Sequence, residues 1–409
     1  MPVVKPSIEN VANIKVVGVG GSGNAALNRM VEAQIKGVEF IAVNTDAQAL
    51  HYSGAPTKIH IGQTITRGLG AGMDPSVGQQ AAEESREEIY EVLKGSDMVF
   101  ITCGFGGGTG SGAGPVISEI AKESGALTVG VVTRPFSFEG QQRMTIAEEA
   151  LAELQDRVDA AVVVPNDRLL QIIDKKTSLV DAFRVVDDVL RQGVQGISDL
   201  IVHHGMVNVD FADIRAITSN AGSALMGIGR ASGENRAVDA ARAAIESPLL
   251  DITIDGAKGI IFNVTAGEDL KMFEVEEAAR VITEHADNNA KVIFGTVIDN
   301  NQVEEGELKI TVVATGFDKP EAVRKTERYS GAIPYSQGMA TQPVRFGAIP
   351  ESEPVRSQPE VKPNPYSRPV VTPRTDGNDE DLEVPTFIRR KMREQKEARN
   401  HGDSEDQSL

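Results

Sequence analysis

The feature that most constrains this 409-residue chain is a glycine-rich stretch, residues 104–114, with the sequence GFGGGTGSGAG. It directly follows the apolar run Met98–Ile101, and Pro115 and a helix-like segment come after it. A chain places so much glycine together only where another group must approach the main chain closely. A strand, a glycine loop and a helix start in this order direct backbone N–H groups and a helix dipole towards a phosphate group. The sequence therefore predicts a nucleotide as the ligand.

Composition narrows the class of protein. The formal net charge of −18 argues against a nucleic-acid binder, because phosphate contacts need a basic surface, and it suggests protein partners instead. The single cysteine, Cys103, excludes an internal disulfide and is predicted to be a small apolar filler. The six histidines show no metal-ligand spacing, so no protein metal site is predicted. No apolar run approaches the ~18–20 residues that span a bilayer, so we expect a cytoplasmic protein without direct membrane insertion.

The first 200 residues alternate strands and helices in the pattern of βαβ units. Helices are expected at about 24–33 and 77–93. Apolar, β-branched runs without polar alternation predict a parallel sheet covered on both faces. Its strands are expected at residues 14–19, 40–43, 98–102, 127–132 and 160–164. The predicted fold class is therefore α/β, with a Rossmann-like parallel sheet.

A long helix is predicted over residues 178–202, where apolar residues recur every three or four positions. Gly193 and Gly196 are expected to weaken it, by about 1 kcal/mol each if they are exposed. Beyond it, a smaller α+β domain is predicted from strands at 259–265, 291–298 and 308–315 and a helix at 275–285. The expected organisation is a flexible N-terminus (1–12), a nucleotide-binding domain (13–177), a central helix (178–202), an α+β domain (203–317), a disordered linker (318–378) and a tail (379–409).

The composition changes abruptly after Phe317. Eleven of the nineteen prolines fall between Asp318 and Leu409, where little apolar surface offsets the entropy of ordering, so we expect a flexible linker. Near its end stands the apolar island Asp381–Arg390. Such an island on a long tether is typical of a docking peptide, and a chance cluster in a disordered tail is the alternative. No role is predicted for Lys391–Leu409.

A second glycine loop, Gly18–Gly23, lies between a predicted strand and a predicted helix and matches G-x-G-x-x-G, the dinucleotide fingerprint. With Asp46 as a ribose-binding acid, this loop alone would favour an NAD(P)-dependent oxidoreductase. Two glycine loops at neighbouring strand ends favour a longer phosphate chain that is held from both sides. A Walker A loop is excluded, because neither glycine loop contains lysine and the chain has no G-x-x-x-x-G-K-[ST]. The oxidoreductase stays an alternative.

The segment Gly106–Gly112 matches the tubulin-type GTP-binding signature. Together with the Gly20–Asn24 loop and the Asp381–Arg390 island, it makes the chain resemble the tubulin-like family of bacterial cell-division GTPases, over about Ile14–Phe317. The resemblance implies a tubulin-like GTPase domain that binds GTP or GDP with Mg²⁺. It also implies that phosphate contacts come from both glycine loops and a third short segment, namely from Gly20, Gly21, Ser22, Gly23, Asn24, Ala25, Gly70, Ala71, Gly72, Gly107, Gly108, Thr109 and Gly110.

The resemblance implies the remaining nucleotide contacts as well. Glu139 and Arg143 would contact the ribose and a phosphate, although their i,i+4 spacing also fits a solvated ion pair. Asn166, Phe183 and Asp187 would form the base pocket. Because Phe183 and Asp187 are four residues apart, one helix face could offer both a stacking ring and a carboxylate. A carboxylate accepts hydrogen bonds from N1–H and the 2-amino group of guanine, and adenine lacks this pair of donors.

Asn208, Asp210 and Asp213 match the N-x-D-x-x-D loop of the family. In the family this loop enters the nucleotide site of the next subunit, where its acids polarise the attacking water. Asp210 and Asp213 also fit a helix N-terminus before Ile214–Ile217. The resemblance thus implies a GTPase that polymerises head to tail and scaffolds the division ring at mid-cell, on the inner face of the membrane. Its tail would bind membrane-associated adaptors. A filament that binds GTP without hydrolysing it is the second alternative.

Overall fold

The computed structural model describes residues 12–170, 177–202, 209–246, 254–299 and 303–317. The strands within these ranges are β1 (Ile14–Val19), β2 (Val38–Asn44), β3 (Thr57–His60), β4 (Met98–Gly104), β5 (Leu127–Arg134), β6 (Ala160–Pro165), β7 (Gly222–Ser232), β8 (Gly259–Ala266), β9 (Lys291–Ile298) and β10 (Glu307–Thr315). The helices are α1 (Gly20–Glu32), α2 (Ala47–His51), α3 (Gln63–Thr66), α4 (Pro75–Glu84), α5 (Arg86–Leu93), α6 (Gly108–Glu123), α7 (Gln141–Arg157), α8 (Asn166–Leu169), α9 (Leu179–Val202), α10 (Phe211–Thr218), α11 (Arg236–Ile245) and α12 (Met272–Thr283).

These strands form one sheet in the order β3-β2-β1-β4-β5-β6-β7-β10-β8-β9. The pairs from β3 to β7 are parallel, β10 is antiparallel to both β7 and β8, and β9 is parallel to β8. Separate apolar clusters cover the two faces of the parallel part. The predicted α/β class with a Rossmann-like parallel sheet is therefore confirmed.

Strand β7 was not expected from the sequence, yet it joins the parallel part of the sheet to the C-terminal strands. Three of its residues, beginning at Gly222, pair with the start of β6, and β10 pairs along its length. Its glycines and small residues have low strand propensity. They are required because α11 lies directly on the strand, so that a Cβ atom on Gly227 would overlap the carbonyl oxygen of Ala244.

The long helix α9 extends over Leu179–Val202, within one residue of the predicted range. Gly193 and Gly196 are buried rather than exposed. A Cβ atom on Gly196 would lie 2.6 Å from Cγ2 of Thr311 on β10, and one on Gly193 would lie 3.2 Å from Cε of Met226 on β7. The expected penalty therefore does not apply, because these glycines allow the helix to pack closely against the sheet.

Several element boundaries differ from the predicted ones. Helices α1 and α6 begin within the glycine stretches, at Gly20 and Gly108, because those stretches form the first helical turns. The helix predicted at 77–93 is two helices that meet at Ser85. Cys103 is fully buried, as expected of an apolar filler, and burial raises the pKa of its thiol.

In the part of the chain that the structure describes, no helix is both long enough and apolar enough to cross a membrane. The predicted N-terminal segment up to residue 11, the linker 318–378 and the tail 379–409 with Asp381–Arg390 lie outside the described residues.

Candidate functional site

A cleft of about 350 Å³ opens where four neighbouring parallel strands end. The strands β1, β4, β5 and β6 all run towards this edge of the sheet, and each is followed by a segment that reaches the cleft. Ligands of open α/β sheets bind at the carboxyl ends of the strands. The predicted residues that line the cleft are Gly21, Ser22, Gly107, Gly108, Thr109, Gly110, Glu139, Arg143, Asn166, Phe183 and Asp187.

The start of helix α6 forms one wall of the cleft. Its N-cap residue Gly107 is extended and provides no side-chain cap, so the N–H groups of the first turn are available to a ligand. Glycine is needed here by close approach, since a Cβ atom on Gly108 would lie 2.8 Å from the amide nitrogen of Asp74, and one on Gly110 would lie 2.7 Å from the carbonyl oxygen of Gly104. The geometry suits an anion bound by backbone N–H groups.

The first turn of α1 lies beside it. Gly20 has φ +72°, and a Cβ atom there would lie 3.0 Å from the amide nitrogen of Gly110, so the two glycine segments are adjacent. Asn24 is buried and does not line the cleft; its amide donates to the carbonyl oxygens of Gly20 (2.8 Å) and Val43 (3.1 Å). It therefore supports the glycine turn from behind.

The other predicted members of the α1 turn divide between cleft and core. Ser22 lines the cleft, and its hydroxyl accepts a hydrogen bond from the Gly104 N–H (3.1 Å). Gly23 is buried against Thr102 of β4, and Ala25 is exposed outside the cleft. Of these residues, only Gly21 and Ser22 are placed where a ligand in the cleft could touch them directly.

The segment Gly70–Gly72 does not line the cleft, but it packs behind the α6 turn. A Cβ atom on Gly108 would lie 2.9 Å from Cβ of Ala71. Next to it, the hydroxyl groups of Thr45 and Thr109 are 2.7 Å apart. Thr45 was not predicted, although it follows β2 at the same edge of the sheet, which is the signal that could have found it.

Glu139 and Arg143 face the glycine turns across the cleft. They form an ion pair, with Nη1 of Arg143 2.7 Å from Oε2 of Glu139. Glu139 also accepts a hydrogen bond from the Phe136 N–H (2.9 Å). The ion pair that their spacing suggested is therefore present, within the cleft wall. A guanidinium so placed can also pair with a phosphate group.

Asn166, Phe183 and Asp187 lie together at the other end of the cleft. Asn166 is buried, and its Oδ1 atom has no hydrogen-bond partner in the structure. The Phe183 ring is 41% exposed and lies edge-on to Phe136, with ring centroids 5.7 Å apart. A buried acceptor without a partner normally indicates a missing ligand or water, so this end of the cleft suits a planar group with hydrogen-bond donors.

Asp187 has a partner that the sequence did not suggest. Its Oδ2 atom lies 2.9 Å from Nε of Arg29 on helix α1, 158 residues away in the chain. Burial raises the pKa of the Asp187 carboxyl, and the hydrogen bond and charge of Arg29 oppose that shift. Nothing in the local sequence around Arg29 identifies Asp187 as its partner.

The predicted catalytic acids, Asp210 and Asp213, lie away from the cleft. Asp210 is exposed and is the N-cap of α10, where its carboxylate accepts from the Ala212 N–H (3.0 Å). Asp213 is exposed in the first turn of the same helix, and Asn208 lies outside the described residues. The predicted helix N-terminus is thus present, and neither Asp210 nor Asp213 lines the cleft.

Two contacts place α10 at the opposite end of the fold. Arg215 of α10 donates to the carbonyl oxygen of Gly125 (3.2 Å), just beyond the C-terminal end of α6. Since α6 has 16 residues, that end is about 22 Å from the glycine turn at its start. The Asn220 N–H donates to the carboxylate of Asp159, which precedes β6, whereas the cleft lies beyond the other end of β6. The acids therefore cannot reach the cleft of their own molecule.

Comparison with known proteins identifies the family. The GTPase domain of the Tubulin/FtsZ family matches residues 13–174, and the FtsZ family C-terminal domain matches residues 222–318. The empty dimer of FtsZ from M. jannaschii is 47% identical, with a TM-score of 0.71, over 75% of this chain and 88% of that chain.

Two more distant structures share the fold. CetZ2 from Haloferax volcanii, solved as a GTPγS-bound protofilament, is 21% identical with a TM-score of 0.64, over 76% of this chain and 95% of that one. CetZ1 from the same organism, a GDP-bound monomer, is 21% identical with a TM-score of 0.66, over 76% and 97%. With both domains matched in order and close identity to a solved FtsZ, this chain belongs to the Tubulin/FtsZ family and carries its GTPase domain.

Proposed function

We propose that this protein hydrolyses GTP in head-to-tail filaments, each active site being formed by the cleft of one subunit and the Asn208–Asp213 segment of the next. The observation that carries the proposal is the separation of the two groups of residues. Helix α10, which carries the acids, is bonded through Arg215 to Gly125 just beyond the C-terminal end of α6, and that end is about 22 Å from the glycine turn at the start of α6. A second copy is the simplest source of acids for the cleft.

In this proposal the cleft holds the nucleotide along its length. The first turns of α1 and α6 hold the phosphates through backbone N–H groups, and Thr109 adds a hydroxyl. Gly70–Gly72 packs behind the α6 turn and supports it where the γ-phosphate would bind. Glu139 contacts the ribose and Arg143 contacts a phosphate.

The base occupies the end of the cleft that contains Asn166, Phe183 and Asp187. Phe183 offers an exposed ring for stacking, and the Asp187 carboxylate accepts from N1–H and the 2-amino group of guanine. The unpaired Oδ1 of Asn166 accepts a further donor from the nucleotide. The fit of these three groups to guanine supports GTP over other triphosphates.

Mg²⁺ fits this site only as a companion of the phosphates. Among the described residues, no group of three or more His, Cys, Asp or Glu side chains converges on one point. Mg²⁺ is commonly held by substrate phosphates, waters and one or two protein oxygens. When bound it would neutralise charge on the transferred phosphoryl group. Asp210 and Asp213 of the neighbour orient the attacking water and accept its proton.

A contact that joins unlike ends generates an open filament when its rotation does not close into a ring. We propose that these filaments scaffold the cell-division ring and are held at the membrane by adaptors that bind Asp381–Arg390. Deletion of the residues after Asp379 should leave hydrolysis intact and abolish adaptor binding. Loss of filaments in the deletion variant would contradict this role for the tail.

The test of the shared site is complementation between two inactive variants. Asp213→Ala has an intact cleft without its acid, and Gly107→Asp places a carboxylate at the anion position of α6. Each alone should release phosphate at least tenfold more slowly than the native protein. An equal mixture should regain hydrolysis, because a native cleft then meets a native acid. Filaments are followed in the same tube by sedimentation.

The control is Asp239→Ala, which removes an exposed acid from the first turn of α11 in the same way. It should hydrolyse GTP at the native rate. If Asp213→Ala alone keeps normal hydrolysis, the proposed role of that acid is wrong. If the mixture stays inactive although both variants sediment together, the acids do not act across the subunit contact. Native filaments that release no phosphate would favour a GTP-binding structural filament.

A further inference from the structure

We propose that Arg29 makes the cleft selective for guanine, by holding Asp187 as a carboxylate in a fixed orientation. The inference rests on the proposed function, in which Asp187 reads the base. It concerns a residue on a different helix from the base-reading side chains, and it gives Arg29 a positioning role rather than a contact with the nucleotide.

The charge of Asp187 decides which base it can recognise. An ionised carboxylate only accepts hydrogen bonds, so it matches the N1–H and 2-amino donors of guanine. A protonated carboxyl has one donor and one acceptor, and it matches the N1 acceptor and 6-amino donor of adenine instead. The site therefore distinguishes guanine from adenine only while Asp187 is ionised.

The position of Asp187 works against ionisation. Its side chain is buried in the wall of the cleft, and burial raises the pKa of the carboxyl. A stacked base would exclude more water and increase that effect. Without a compensating partner, burial would favour the protonated carboxyl, which cannot accept both hydrogen bonds from guanine.

Arg29 supplies the compensation. Its Nε donates to Oδ2 of Asp187 over 2.9 Å, and the Arg29 side chain is itself only 32% exposed, so solvent screens the pair less than a surface pair. The hydrogen bond from Arg29 goes to Oδ2 and not to the other oxygen, Oδ1. The bond thus leaves acceptor positions on the carboxylate for a base and restricts its rotation.

Other charged groups near Asp187 are already engaged. Glu139 and Arg143, on the same cleft, pair with each other, and Asp188 on the same helix pairs with Arg191. Arg29 is the charged group whose hydrogen bond and charge lower the pKa of Asp187. Helix α1 also begins with the glycine turn at the phosphate end, so one helix contributes to both ends of the cleft.

The experiment measures the affinity of nucleotide-free protein for GTP and ATP, below the concentration at which filaments form. Arg29→Met removes the charge and the hydrogen bond but keeps most of the bulk. GTP affinity should fall about tenfold while ATP affinity stays level or rises, so the ratio of the two affinities should fall at least tenfold. Arg29→Lys should keep part of the ratio.

The matched control is Arg184→Met, which removes the exposed pair of Arg184 with Asp181 on the same helix as Asp187. Its ratio of GTP affinity to ATP affinity should equal that of the native protein. A structural role for Arg29 would weaken GTP and ATP binding equally. Equal weakening, or an unchanged ratio in Arg29→Met, would overturn the inference.

A pH series provides a second readout. Because Asp187 must be ionised and its pKa is raised by burial, GTP binding by Arg29→Met should weaken as the pH falls from 7.5 to 5.5. Native GTP binding should weaken less over the same range, since Arg29 opposes the protonation. ATP binding by Arg29→Met should not weaken over this pH range. Identical pH profiles for native protein and variant would also overturn the inference.

The variant Asp187→Asn separates this inference from the proposed function. Asparagine accepts from N1–H and donates to the 2-oxygen of xanthine, so the variant should prefer XTP to GTP. Adding Arg29→Met to it should change the XTP-to-GTP ratio less than twofold, because no carboxylate remains to be held. If Asp187→Asn shows no gain for XTP, the proposed base site is wrong; if it gains XTP but Arg29→Met keeps its GTP-to-ATP ratio, only the role of Arg29 is wrong.

Discussion

Two helix N-termini of this protein, those of α6 and α10, are built in opposite ways. Helix α6 follows Gly107 and has no side-chain cap, so its first N–H groups are left for a ligand. Helix α10 follows Asp210, whose own carboxylate accepts from the Ala212 N–H. The N–H groups at the start of α6 are therefore free to bind an anion, whereas those at the start of α10 are partly satisfied by the chain's own carboxylate.

The two helix N-termini also differ in burial: that of α6 is closely packed and that of α10 is exposed. The α6 turn lies against Ala71, Asp74 and Gly104, at distances that exclude any side chain at Gly108 or Gly110. Asp210 and Asp213 are exposed. The α6 terminus is thus closely packed within the fold, and the α10 terminus presents two acids at the surface.

Giving α6 an aspartate N-cap like that of α10 tests whether the missing cap matters for nucleotide binding. Gly107 has φ −100° and ψ 176°, which any residue can adopt, so Gly107→Asp should place a carboxylate over the first turn. We expect GTP affinity to fall about 100-fold, because the carboxylate satisfies the N–H groups and repels the phosphates. Titration with a fluorescent GTP analogue measures the loss.

Gly107→Ala is the control for this change, because a Cβ atom on Gly107 meets no other atom within 4 Å. It should bind GTP within a few-fold of the native protein. If the alanine variant loses as much affinity as the aspartate variant, the anion site is sensitive to any side chain and the cap is not the reason.

The second prediction separates the two roles of Asp210. Serine is also a good N-cap but carries no charge, so Asp210→Ser should keep the helix and lose the acid. Under the proposed function, phosphate release should slow at least tenfold, while the free energy of unfolding should change by less than about 0.5 kcal/mol. Full hydrolysis by this variant would mean that Asp210 serves only as a cap.

The smallest effect concerns stability alone. Asp210→Ala removes the cap and should lower the free energy of unfolding by about 1 kcal/mol. Asp213→Ala removes an exposed carboxylate that is not the cap, and it should change stability by less than about 0.5 kcal/mol. Chemical denaturation of both variants, compared with Asp210→Ser, measures the difference. Equal stability of all three would show that the cap contributes nothing.

The sequence predicted β1, β2, β4, β5 and β6 and much of the cleft, because the signals there are local, whereas it did not predict β3 or β7. Long apolar runs identify buried strands, and glycine segments directly after them identify the turns that line the cleft. The glycine stretch, however, is only partly the loop that the sequence predicts. Gly108 and Gly110 belong to a helix rather than to a loop, since close packing by Asp74 and Gly104 requires the same residue type.

What the sequence could not supply are contacts between distant segments. Arg29 meets Asp187 across 158 residues, and Thr45 meets Thr109 across 64, and no periodicity reports either pair. Strand β7 was missed for a related reason, because its glycines serve the packing of α11 and hide the strand pattern. The motif around Asp210 fits both a helix N-cap and a catalytic acid, and the structure shows the N-cap.

The placement of cleft and acids at opposite ends fixes the number of working sites in any assembly built as proposed. A row of subunits contains one fewer complete site than it has subunits, because the last cleft faces solvent instead of a neighbour's acids. The subunit with that open cleft keeps its GTP, while every other subunit can hydrolyse. The two ends of a filament then differ chemically, and short filaments turn over less GTP per subunit than long ones.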